Sequence, residues 1–130
     1  MRKVLSFDID GTLETGEPAG SITMAMVRRA VELGYIIGSC SDKPVSVQKG
    51  IWEEHKIQVE FTVLKHMLHE VRARIEADQY QHIGDTVMDR HYAELYGFTF
   101  LDVATAFEPW MVLDTSDDPN NFPTDQVAKL

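Results

Sequence analysis

"KVLSFDIDGT" (residues 3–12) begins as a short apolar run and ends with two aspartates, two positions apart, before a glycine. The run Lys3 to Phe7 reads as a strand buried on both faces, the kind found in parallel sheets. Asp8 and Asp10 then fall at the strand's carboxyl end. Like charges repel, and a buried strand end solvates them poorly, so their placement there asks for a partner of opposite charge.

Outward from this stretch, strand and helix signals alternate. Gly11, Gly16, Pro18 and Gly20 punctuate a loop. Ser21 is placed to cap a helix with Ile22, Met26, Ala30 and Leu33 on its apolar face, closed by Gly34 at the C′ position. Residues 35–38 form a second strand that runs into Ser39-Cys40-Ser41-Asp42. Pro44 opens a helix burying Val47, Ile51 and Trp52. Residues 59–64 read as a third strand, followed by a helix from near Lys65 that buries Leu68, Val71 and Ile75. Residues 80–83 give a fourth strand ending in Gly84-Asp85. Met88, Tyr92 and Leu95 mark the next helix, Gly97 ends it, and 98–103 form a fifth strand. Phe107 and Trp110 are expected to pack a last helix against the sheet.

Such alternation predicts an α/β fold with a central, mainly parallel five-stranded sheet and helices on both faces. Residues 1–113 make one domain, and 114–130, polar, acidic and proline-bearing, read as an irregular tail. The net charge of −9, from 12 basic and 21 acidic residues, argues against nucleic acid or an anionic membrane as partner. Cys40 is the sole cysteine, so no intrachain disulfide forms and a reducing, cytoplasmic setting is expected. The apolar run after Met1-Arg2-Lys3 is too short for a signal h-region, and no run nears the roughly 18 apolar residues of a spanning helix.

Right-handed crossovers bring every strand's carboxyl end to one edge of such a sheet, where ligands bind. Asp8, Asp10, Ser41, Lys65, Asp85 and Asp89 all fall at or just past those ends. Four carboxylates in one crevice suit a hard dication such as Mg²⁺, which prefers oxygen ligands and keeps room for a substrate phosphate. Ser41 and Lys65, the only obvious cation, are then free to hold phosphate oxygens. One carboxylate of the first pair can attack phosphorus while the other passes a proton to the leaving oxygen.

"DIDGT" at 8–12, Ser41 after an apolar strand, Lys65 at a helix start and "GDTVMD" at 84–89 resemble, in order, the four motifs of the haloacid dehalogenase superfamily. The resemblance implies a three-layer Rossmann-like fold and phosphoryl transfer through an aspartyl-phosphate. Asp8 would be the nucleophile and Asp10 the general acid/base. Mg²⁺ would be held by the Asp8 side chain, the Asp10 backbone carbonyl and Asp85, with Asp89 in direct or water-mediated support. Ser41 and Lys65 would position the phosphoryl group; Ser39 competes for the serine role, and Ser41 is favoured because it lies further out along the strand. An aspartate at position 10 marks the phosphatase branches of the family. Each interval between motifs is consumed by one helix and one strand, so no cap domain fits, and only residues 14–20 could form a flap. Glu14 and Glu17 in it would disfavour further negative charge. Capless members are associated with large substrates or with homo-oligomers that shield the site.

The leading expectation is therefore a Mg²⁺-dependent phosphatase acting on a phosphorylated small molecule. A phosphotransferase on the same scaffold and a non-catalytic Mg²⁺/phosphate-binding protein are the alternatives. A calcium loop lacks the later acidic positions and has a strand where a helix belongs. A receiver-type domain needs an aspartate at the end of the third strand, where "VEFTVL" has none. His66, His69 and Glu70 read as a solvated helix face, His91 as an exposed helix position, and Cys40 as a small buried residue.

Overall fold

The computed structural model describes residues 1–112. Five strands, β1 (Lys3–Phe7), β2 (Ile36–Ser41), β3 (Phe61–Leu64), β4 (Gln79–Gly84) and β5 (Thr99–Asp102), alternate with four helices. The helices are α1 (Met24–Glu32), α2 (Val45–Glu54), α3 (His69–Arg74) and α4 (Val87–Leu95). The sheet order is β3-β2-β1-β4-β5, and every pairing is parallel. The strand that opens the chain thus lies at the centre, with β2 and β4 on its two sides. The expected α/β architecture is found, with helices on both faces and no unit inserted between the elements.

Alternate residues of β1 supply both faces, which is why the run had to be apolar throughout. Leu5 and Phe7 join Val27, Ala30, Ile37, Trp52 and Trp110 in the core beneath α1 and α2. Val4 joins Cys40, Phe61, Val63, Leu68, Val71 and Ala93 beneath α3 and α4. Phe7 meets Trp110 edge-on at 5.4 Å and Trp52 at 6.5 Å, so two large indoles anchor one layer to the central strand.

Several local expectations need correction. The cap of α1 is Thr23, whose side chain accepts the Met26 N–H; Ser21 is too early. The chain at Ile22 is still paired with Thr12 and Glu14 (Ile22 N–H to Thr12 O, 3.0 Å; Glu14 N–H to Ile22 O, 2.8 Å), so helical winding cannot start there. The inward face of α1 is consequently Met24, Val27 and Ala30, and Leu33 is exposed. In α2 it is Gln48 and Trp52, with Val47 exposed. Lys65 opens a single 3₁₀ turn, and α3 begins only at His69. The largest departure is α4: Asp89 and Ala93 face the sheet, while Met88 and Leu95 remain 47 % and 59 % exposed. Apolar spacing marked the wrong side because a buried carboxylate claims the inner one. After β5, Trp110 is buried within a 3₁₀ turn (Pro109–Met111), but Phe107 is 79 % exposed. The tail assigned to 114–130 lies outside the described residues.

Candidate active site

Asp8 follows β1 directly, and its N–H donates to Ile83 O of β4 at 2.9 Å, continuing the strand pairing. This fixes its side chain, buried, on the face of the sheet shared with Ser6 and α4. Thr12 donates its hydroxyl to Asp8 Oδ2 at 3.2 Å as the chain turns back. That turn needs Gly11: its φ is +76°, in the left-handed region, and a Cβ there would overlap the Asp85 carboxylate. Gly84 is required for a similar reason, since a Cβ would overlap the Asp89 side chain.

Asp8, Asp85 and Asp89 each offer a carboxylate oxygen within 4.8 Å of the others. Lys65, buried at the end of β3, reaches Asp89 at 3.4 Å, Asp42 at 3.6 Å and Asp8 at 3.7 Å. One ammonium is thus set against four carboxylates. The imbalance is visible in their acidities. Burial, reinforced by the charge of Asp89, pushes Asp8 up to about 8, and Lys65 opposes this only in part. Burial also works against ionisation of Asp89, but hydrogen bonds from His82 and Thr86 and the charge of Lys65 overcome it and hold Asp89 below the ordinary range. Lys65 loses hydration by burial, yet Asp8, Asp89 and Asp42 together raise it and keep it charged.

The donor set fits a hard divalent cation: acidic oxygens converge, one member is exposed, and a single ammonium does not balance the cluster. The acidic trio could hold a metal; nothing in it selects among hard dications.

Asp10 stands apart from the trio. Its Oδ1 accepts the Glu17 N–H at 2.8 Å and lies 3.4 Å from Lys43 Nζ. Lys43 is therefore a second cation at the crevice, overlooked because only Lys65 sits directly at a strand end. Ser41 is buried and accepts the Lys43 N–H at 3.1 Å, with no direct contact to a carboxylate of the trio. Ser39 is committed elsewhere: it donates to Gln48 Oε1 at 2.7 Å and accepts the Trp52 indole N–H at 3.0 Å. The two serines thus differ in their partners. Gln48 in turn donates to Lys43 O (2.8 Å) and Val63 O (3.1 Å), pinning the loop that follows Ser41.

Residues 14–20 lie against the turn that carries Asp10 and Gly11. They fold back onto the first turn, with Gly11 N–H to Pro18 O at 2.6 Å and Gly20 N–H to Leu13 O at 2.8 Å. Glu14 turns away to accept the Met24 N–H at 2.6 Å, so it caps α1 and does not line a flap. Cys40 is buried beside the cluster, and burial with the charges of Asp89 and Asp8 raises its thiol far above the range of a reactive one.

The chain matches no protein-family model, no curated protein and no solved structure. No helix among the described residues is long and apolar enough to cross a membrane.

Proposed function

We propose that this protein is a Mg²⁺-dependent phosphomonoester hydrolase of the kind its motif order resembles, the haloacid dehalogenase superfamily. The observation that carries the proposal is Asp8 itself. It is a buried carboxyl group at the end of the central strand, pushed towards protonation by burial and by the charge of Asp89, and it becomes an available carboxylate once a dication offsets that charge. Asp8, Asp85 and the Asp10 backbone carbonyl would hold the ion. When bound, it neutralises charge on the cluster and on a transferring phosphoryl group.

The steps belong to the chain's own residues. A carboxylate oxygen of Asp8 attacks phosphorus as the bond to the leaving oxygen breaks. Asp10, more open to solvent and oriented by the Glu17 N–H, gives that oxygen its proton. Water then attacks the aspartyl-phosphate with Asp10 accepting its proton, which frees phosphate and restores Asp8. Lys65 balances the charge of Asp8 through both steps, while Lys43 and the Ser41 loop line the approach.

Turnover of p-nitrophenyl phosphate with and without EDTA tests this directly. Activity is expected only with Mg²⁺ and is lost in Asp8→Asn. Turnover that survives either the chelator or that substitution refutes the proposal.

A further inference from the structure

His82 is a buried histidine at the crevice with no part in the steps above. It sits on β4 with both ring nitrogens engaged: Nδ1 is 2.8 Å from Ser6 Oγ, and Nε2 is 2.9 Å from Asp89 Oδ1. An ionised carboxylate only accepts, so Nε2 carries the hydrogen and donates to Asp89. In the neutral ring Nδ1 is then an acceptor for the Ser6 hydroxyl. Ser6 is itself buried on the neighbouring strand, in register with His82, so the ring cannot turn without breaking a strand-to-strand contact.

Asp89 is held from every side. Oδ1 takes the His82 N–H and faces Lys65 Nζ at 3.4 Å. Oδ2 takes the Thr86 N–H at 3.1 Å and the Thr86 hydroxyl at 2.7 Å. A carboxylate has about four lone-pair sites, and all four have protein partners here. Asp85 is different: it is exposed, and no side-chain hydrogen bond holds it to another described residue except its approach to Asp8.

We infer that His82, braced by Ser6, is a positioning residue that locks Asp89 onto Lys65 and so leaves Asp8 and Asp85 as the two side chains open to a cation. This role rests on the phosphatase proposal only for the identity of the ion. Residues that orient the groups around a metal site commonly tune its affinity, because they fix which charge sits where. Without the His82 donor, Asp89 would hold Lys65 less firmly, and the ammonium would be free to move onto Asp8 and compete there with a cation.

The test is Mg²⁺ affinity by calorimetry on the full chain, for wild type, His82→Leu and His82→Gln, with thermal melts confirming the fold. His82→Leu is expected to bind Mg²⁺ about 10–100-fold more weakly, whereas His82→Gln, whose amide still donates, stays near wild type. A folded His82→Leu variant with wild-type affinity overturns the inference, as does a His82→Gln variant as weak as the leucine form. Long-range ¹H–¹⁵N spectra of the wild type give a readout free of any substitution. The His82 ring should show the Nε2–H tautomer, with the Nε2 signal moving on Mg²⁺ addition; the other tautomer, or a signal that stays put, overturns it. A wild type that binds no Mg²⁺ takes the proposed function down as well, which separates that failure from this one.

Discussion

Asp8→Asn, studied without any divalent cation, is expected to make the protein more stable while removing the proposed nucleophile. Asn has nearly the shape of a protonated aspartate but never acquires the charge that Asp89 and burial resist. The Asp8 carboxyl is pushed from 3.8 to about 8 in the folded chain. Between those values the folded chain keeps a proton that the unfolded chain has released. The folded state therefore binds more protons, and this contribution makes stability fall as pH rises from about 4 to about 8. Asp89, shifted in the opposite direction, contributes stability above its unfolded value and loses it only in strong acid, outside this window. At about 1.4 kcal/mol per pH unit, the Asp8 penalty reaches about 4 kcal/mol at pH 7 as an upper figure. Relaxation of the cluster and entry of water reduce it towards about 2 kcal/mol. For a chain of this size that range corresponds to about 7–15 °C in melting temperature. The assay is urea and thermal unfolding in EDTA at pH 5 and pH 8, wild type against Asp8→Asn. The substitution should stabilise at both, and by clearly more at pH 8. A gain that does not grow with pH, or no gain at pH 8, refutes the account of a cluster short of positive charge.

Asp10→Asn should lower turnover of alkyl phosphates by about 10²–10⁴-fold but that of p-nitrophenyl phosphate far less, because p-nitrophenolate leaves without a proton; equal losses on both would deny Asp10 the acid role. Gly11→Ala forces a Cβ into the Asp85 carboxylate at a left-handed φ, so calorimetry should show weakened Mg²⁺ binding, and urea unfolding a loss of about 1–3 kcal/mol. Trp110→Ala should cost about 3–5 kcal/mol in urea unfolding, since the indole is fully buried against Phe7, without changing Mg²⁺ affinity in the folded fraction.

The order of strands and the edge at which the acidic residues gather were legible because both follow from local signals. Apolar runs mark buried strands, and parallel connections leave one direction for their ends. The inner face of α4 was not legible. Met88, Tyr92 and Leu95 carry the apolar spacing, but Asp89 turns inward because His82 on β4 and Lys65 after β3 meet it there. A carboxylate's burial depends on donors that are distant in sequence, and periodicity carries no record of them. The partners of Ser39 were hidden for the same reason, since Trp52 and Gln48 meet it only in the fold. His82 had a signal in hindsight: a histidine within a strand otherwise headed for the interior must find partners for both nitrogens. Lys43 had one too, two residues past Ser41 in "SDKP". Trp110 had only its size to suggest burial, and Phe107, equally apolar, was left in solvent.

The central position of β1 also has a temporal consequence. Its pairing with β2 closes over a short stretch of chain, but its pairing with β4 joins residues 76 positions apart, as Ser6 and His82 are. Closing that span costs more chain entropy than closing the one to β2. Asp8 meets Asp85 and Asp89 only when that step is complete. During synthesis, β1, β2 and β3 with α1 and α2 all emerge before Asp85 and Asp89 do. The electrostatic cost of the crevice arrives last, when β1 is already committed and has little freedom left to avoid it.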